Sequence, residues 1–267
     1  RGKGSEAFGG FILTASHNPG GIDEDFGIKF NAANGGPAPE QLTDLIYKHT
    51  QSITTIAICP AFPDVDLTAP AVTRVEGEGG RAAVAEVFDS AEDHVTVLRR
   101  CFDFDAIRGL VKREGFSLCY DAMSGVNGPY ARAVLVDILG CPPSSLQNCD
   151  PLPDFGGPAS PSHGHADPNL KNAVELCQRM RVGPTGDALG GLEAAPSFGA
   201  AADGDGDRNM ILGPGFFVTP SDSLAVIVDQ AAQGRIPQFS GGVGGAARSM
   251  PTSGALDLVC SARGIPL

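Results

Sequence analysis

No apolar run in this sequence approaches the ~18 residues that a membrane-spanning helix needs, and no secretory apolar segment stands near residue 1. The chain therefore reads as soluble, with no membrane span. Basic residues are scarce: 19 Lys and Arg stand against 31 Asp and Glu, for a net charge of −12. A nucleic-acid partner is excluded on that ground, because gripping a phosphate backbone needs a basic face. Small anions can still bind at locally positive loops. The seven cysteines form no C-x-x-C pair and are odd in number, which argues for reduced thiols and a cytoplasmic location rather than a disulfide framework. An initiator Met is missing too. The sequence opens at Arg1 and enters the strand pattern Gly10-Phe11-Ile12-Leu13 almost at once, as a fragment of a longer protein would.

What is present is a normal apolar content, 42%, over 267 residues, enough for one large or two modest domains. Phe11–Leu13 and the alternating Phe26-Gly27-Ile28-Lys29-Phe30 frame a loop as two strands. Glu40–Thr50 places Leu42, Leu45 and Ile46 at helical spacing. Residues 60–81, rich in Pro, Gly and acids, read as a connection, so a boundary falls near residue 80. Beyond it, helices are predicted over 91–110, 129–139 (ended by Gly140), 170–180 and 221–233 (N-capped by Ser221). Strands are predicted over 116–120, 197–202 and 216–218, with 181–196 a surface excursion. Strand, glycine turn and helix recur, which defines an α/β protein.

Two loops carry the chemistry. Thr14-Ala15-Ser16-His17-Asn18-Pro19-Gly20-Gly21 puts a hydroxyl on a tight bend, with His17, Asn18 and Lys29 as nearby donors for a phosphate. By composition alone the same residues also make an ordinary turn. Asp203-Gly204-Asp205-Gly206-Asp207-Arg208 alternates carboxylates with glycines, so the carboxylates converge on one side. A calcium EF-hand loop needs glycine at its sixth position and glutamate at its twelfth, where Arg208 and Pro214 stand. Hard oxygen ligands in this small number suit Mg²⁺, and Arg208 suits a phosphorylated ligand beside it. A solvated acidic turn is the competing reading. A phosphorylated Ser16 would carry about −1.5 to −2 charges and would need such an ion near it. His163 and His165 lie in a Pro-Gly-Ser loop with no metal-site spacing and read as surface residues.

These two loops, with Asp25-Phe26-Gly27-Ile28-Lys29-Phe30-Asn31, Asn34-Gly35-Gly36-Pro37-Ala38-Pro39-Glu40 and Ser249-Met250-Pro251-Thr252-Ser253-Gly254-Ala255-Leu256-Asp257, make the chain resemble the eukaryotic-type phosphoglucomutases of the α-D-phosphohexomutase superfamily. The resemblance implies an α/β multidomain fold of α/β/α layers. Residues 1–80 would be most of the first domain and carry the phosphoserine loop, 81–218 the complete second domain with the metal loop, and 219–267 the start of the third. Four domains around a cleft are usual, so the sugar-specificity loop and the phosphate-binding fourth domain would lie outside this chain.

The resemblance further implies a reversible interconversion of glucose 1-phosphate and glucose 6-phosphate through a bisphosphate. Ser16 matches the phosphoserine. Asp203, Asp205 and Asp207 match the Mg²⁺ ligands, completed by the Ser16 phosphate. Asp207 and Arg208 match substrate positions, and His17 and Lys29 match residues at the transferring phosphoryl group. Mg²⁺ and glucose 1,6-bisphosphate are the implied cofactor and intermediate, with a sugar phosphate as partner. A parafusin-like role in regulated secretion, or an inactive binding module, are the alternatives. Asp121-Ala122-Met123-Ser124-Gly125-Val126 matches a family strand-to-helix turn and reads as structural. Ala202 stands where a larger apolar residue is usual, and 181–196 looks longer than the family connection; both would loosen the metal loop.

Overall fold

The computed structural model describes residues 7–267, and its backbone divides into two compact units. One holds the chain up to Leu13 with 28–93; the other holds 14–27 with 94–267.

In the first unit, strand β1 (Gly9–Thr14) pairs with β2 (Gly27–Ala32), as the alternating pattern predicts. Gly27 meets the Thr14 carbonyl and Gly9 the Phe30 ring, and the Phe11 and Phe30 ring centroids lie 5.3 Å apart. Helix α1 (Glu40–Thr50) has the predicted bounds, with Glu40 in its first turn and Lys48 and His49 in its last, each sign complementing the helix dipole. The 60–81 stretch is not all connection. It contains β3 (Ala71–Glu76), which runs antiparallel to β4 (Ala82–Val87) so that Ala71 faces Val87 and Glu76 faces Ala82. The turn between them uses Gly79 and Gly80 at positive φ, and those glycines and acids hid a β-branched strand on their flank.

The second unit is built on a mixed sheet. Helices α2 (Ser90–Cys101) and α3 (Phe104–Val111) replace the single helix predicted over 91–110. Asp103 divides them: its carboxylate accepts from the Asp105 and Ala106 N–H groups and starts α3. Strand β5 (Leu118–Asp121) follows, then α4 (Asn127–Ala131), which widens into a π-helical segment over 132–138 and ends at Gly140 at φ 80°. Strand β6 (Leu146–Gln147), helix α5 (Val174–Arg179), β7 (Phe198–Ala202), β8 (Asn209–Gly213) and β9 (Phe216–Val218) complete it. The sheet order is β6-β5-β7-β8-β9, parallel across its first three strands and antiparallel after β7. Strand β8 went unmarked in the sequence because its asparagine and glycine ends mask three apolar residues.

Helix α5 is shorter than predicted because Asn169 folds its side chain onto the Lys171 and Asn172 N–H groups and delays the helix. The small residues of β7 admit it: a β-carbon on Gly199 would lie 2.7 Å from the Met180 sulfur. Leu176, Met180, Met210 and Leu212 are fully buried between α5 and the sheet, and Ala202 is buried at the strand end. Beyond the sheet, α6 (Ser223–Ala232) packs on α7 (Ala255–Arg263) through Ala225, Val228, Leu256 and Cys260. Asp222, not Ser221, occupies the N-cap of α6, and it makes no side-chain cap bond, being engaged by Thr219 Oγ1 at 2.6 Å. All seven cysteines are free, and among the described residues no helix is long and apolar enough to cross a membrane.

Candidate active site

Strands β5 and β7 run parallel and adjacent, with Asp121 opposite Ala201, so the turns that leave their carboxyl ends emerge side by side. In a sheet of this kind, that is where ligands bind. The turn after β7 is the acidic loop. Asp203 is fully buried, and its Oδ1 accepts the Arg208 N–H at 2.9 Å while its carbonyl accepts from Gly206 N–H at 3.2 Å. The loop thus closes on its own first residue. Gly206 sits at φ 81°, where a β-carbon would also press within 2.5 Å of the Asn127 amide nitrogen.

One carboxylate oxygen from each of Asp203, Asp205 and Asp207 can be chosen so that all lie within 4.8 Å of one another. Burial, then the Asp205 and Asp207 carboxylates, push the Asp203 carboxyl up to about 6. Its Oδ2 is buried with no hydrogen-bond donor among the described residues. A buried carboxylate oxygen facing two further carboxylates is costly without a cation, and hard oxygen donors at this spacing fit a divalent ion such as Mg²⁺.

The second loop belongs to the same unit. Ser16 adopts φ 61°, a left-handed conformation uncommon for a residue with a β-carbon, and its N–H donates to Thr14 Oγ1 at 2.7 Å. His17 Nδ1 lies 3.4 Å from Ser16 Oγ. Asn18 N–H donates to Ala15 carbonyl and Asp25 N–H to Pro19 carbonyl, which closes the bend. Gly20 is buried with its Cα so near Pro153 that a β-carbon would lie 2.7 Å from that carbonyl oxygen.

The two loops meet through backbone. A β-carbon on Gly204 would collide with the Ser16 carbonyl oxygen and come within 2.5 Å of the Phe155 ring. Phe155, itself at φ 52° and buried, wedges between Gly20 and Gly204. Ser16 and His17 are therefore brought to the loop that holds Asp203, Asp205 and Asp207. Arg208, about half exposed, reaches Asp167 at 3.5 Å, so an acid sets the direction of its guanidinium. Lys29 lies on β2, exposed, in the other unit.

Sequence reasoning marked neither Phe155 nor Asp167, and took Asp121 as purely structural. The glycine pair after Phe155, Gly156-Gly157, was the available signal of a tight turn there: both sit at positive φ.

An α/β sheet that starts parallel thus ends in an acidic loop backed by a strained serine loop, at the edge where such sheets bind ligands, with carboxylates spaced for a divalent ion. Residues 3–57 match the family model described as phosphoglucomutase/phosphomannomutase, alpha/beta/alpha domain I. The chain is 54% identical over 98% of its length to a probable cytoplasmic phosphoglucomutase of Arabidopsis thaliana, and 53% identical over 96% to the cytoplasmic phosphoglucomutase of Pisum sativum. The open-form structure of the exocytosis-sensitive phosphoprotein parafusin, a phosphoglucomutase from Paramecium, superposes over 97% of the chain with a TM-score of 0.84 at 46% identity. The chain belongs to the phosphoglucomutase family. It spans 43% of the Arabidopsis protein, 42% of the pea protein and 44% of the Paramecium chain.

Proposed function

We propose that this chain carries the phosphoserine and metal loops of a cytoplasmic phosphoglucomutase, which interconverts glucose 1-phosphate and glucose 6-phosphate through glucose 1,6-bisphosphate. One observation carries the reading: Ser16, strained and half-buried on its bend, is seated by backbone contact on the Asp203–Asp207 loop. The domain division proposed with it is 1–80, 81–218 and the start of a third domain over 219–267. Parafusin adds no competing chemistry, since it is itself described as a phosphoglucomutase.

In the proposed reaction, phosphorylated Ser16 gives its phosphoryl group to the free hydroxyl of a glucose monophosphate. The serine O–P bond breaks as the sugar O–P bond forms, and Ser16 Oγ then takes the phosphoryl group from the other end of the bisphosphate. A Mg²⁺ held by Asp203, Asp205, Asp207 and the Ser16 phosphate would supply charge neutralisation at the transferring group. His17, with Nδ1 3.4 Å from Ser16 Oγ, is placed to hold the hydroxyl proton when the serine is free. Arg208 offers a planar set of N–H donors to a phosphate or sugar oxygen; the proposed role of Lys29 at the phosphoryl group rests on the sequence resemblance. The Asp203 carboxylate is already held by the Arg208 N–H before any ion arrives, so little ordering of that ligand remains to be done on binding.

The test is uptake of labelled phosphate from glucose 1,6-bisphosphate by the full-length protein. Labelled Ser16 is expected in the wild type, with neither label nor mutase activity in Ser16→Ala. Full activity in Ser16→Ala would overturn the proposal.

A further inference from the structure

Asp121, the last residue of β5, is a buried carboxylate that no step of the proposed reaction uses. It is 2% exposed, yet it takes three hydrogen bonds: Oδ1 accepts from Met123 N–H at 2.8 Å and Asn148 Nδ2 at 3.1 Å, and Oδ2 accepts from Gln147 Nε2 at 2.8 Å. Three donors on one carboxylate hold in place a turn that the backbone does not favour. Met123, Ser124 and Asn148 adopt φ of 50°, 57° and 48°, all in the left-handed region. Backbone bonds lock the same turn to the strand beside it, from Ala122 N–H to Gln147 carbonyl and from Ser124 N–H to Asn148 carbonyl.

The far end of this turn grips the acidic loop. Val126 N–H donates to the Gly204 carbonyl at 3.0 Å, and Gly125 packs so tightly there that a β-carbon on it would lie 2.9 Å from Gly204 Cα. Gly204 stands between Asp203 and Asp205, and on its other side it supports the Ser16 carbonyl. The path from the Asp121 carboxylate to the metal carboxylates and the nucleophile loop is therefore continuous: a pinned turn, one backbone hydrogen bond and two glycine contacts.

We infer that Asp121 is a positioning residue for the phosphoryl-transfer site: by pinning the 122–126 turn it fixes Gly204, and with it the spacing of Asp203 and Asp205 and the seat of Ser16. The inference rests on the proposed metal and phosphoserine roles of those residues. Asp121 itself is not one of the carboxylates gathered in the acidic cluster. An aspartate that served only to satisfy its own burial would leave the acidic loop unaffected when replaced, and this separates the two roles.

The experiment compares the 267-residue wild type with Asp121→Ala, Asp121→Asn and Gln147→Met in two measurements. The first is amide hydrogen exchange of the metal-free chain, read separately over 199–210 and over α6 and α7. The second is the Mn²⁺ dissociation constant from electron paramagnetic resonance titration. Asp121→Ala is expected to speed exchange about tenfold in 203–208, leave α6 and α7 unchanged, and weaken Mn²⁺ binding about 10- to 100-fold, the usual effect of removing a group that orients metal ligands. Asp121→Asn, which keeps the acceptor for Met123, should recover most of both. Gln147→Met should move both in the same direction by a smaller factor. Wild-type exchange over 203–208 in Asp121→Ala overturns the inference; if that variant does not fold, wild-type exchange there in Gln147→Met does so. A wild type that binds no Mn²⁺ sinks the metal reading alone, and the exchange measurement then decides the inference by itself.

Discussion

Gly204 and Ser16 touch through their backbones: the Ser16 carbonyl oxygen occupies the place where a β-carbon of residue 204 would project. Residue 204 also closes on the Phe155 ring and receives the Val126 N–H, so it has no direction in which to yield. Gly204→Ala should therefore separate the serine loop from the carboxylates rather than be absorbed. We expect a loss of about 1–3 kcal/mol in unfolding free energy, the usual cost of overpacking, measured by urea denaturation of the chain. In the full-length protein we expect phosphorylation of Ser16 to fall more than tenfold while the protein stays folded, as a displacement of order 1 Å at a reacting group produces.

Thiol reactivity should follow burial. Cys59 is exposed and Cys101 partly so, while Cys119, Cys141, Cys149, Cys177 and Cys260 are buried. Burial pushes the Cys119 and Cys177 thiols up to about 11, so at pH 8 almost none of either is thiolate, the reactive form. Alkylation mapped by mass spectrometry should label Cys59 first and Cys101 next. The five buried thiols should react only when denaturant is added; rapid labelling of Cys177 in the native chain would contradict this.

Asp103 begins α3 by accepting two backbone N–H groups at 3.1 and 2.9 Å. Asp103→Ala should cost about 1 kcal/mol, and Asp103→Asn, which keeps the acceptor, should recover most of it. Paired denaturation curves of the two variants check the assignment.

Arg248 holds Asp257 through two bonds, Nε to Oδ1 at 2.6 Å and Nη2 to Oδ2 at 2.8 Å. These bonds keep the Asp257 carboxyl below its ordinary value of 3.8. A depressed acid contributes its stability fully above the unfolded value and loses it as pH falls through the lower folded value. The chain should therefore lose this part of its stability below pH 3.8, and Asp257→Asn should flatten the slope there. Both groups are solvent-accessible, so added salt should shrink the difference.

Much of this protein was decided along the chain. The Ser16 and Asp203–Asp207 loops, the limits of α1 and the β9 strand follow from turn residues, helical spacing and a Gly-Pro-Gly break, all of which act over a few residues. Local signals failed where a neighbour in space overrode them. The split between α2 and α3 depends on which amides the Asp103 side chain reaches, α5 is shortened by the fold of the Asn169 side chain, and β3 is a strand only because β4 returns beside it. Sequence alone supplied the chemical groups of the site, serine hydroxyl and carboxylates, because side-chain chemistry is fixed by residue type. Tertiary structure alone decided that Gly204 sits under Ser16, that Phe155 wedges between the loops, and that the buried Asp121 turn grips Gly204. Those relations arise where two parallel strands end side by side, and close packing of glycine backbones is a property of the space between loops rather than of either loop.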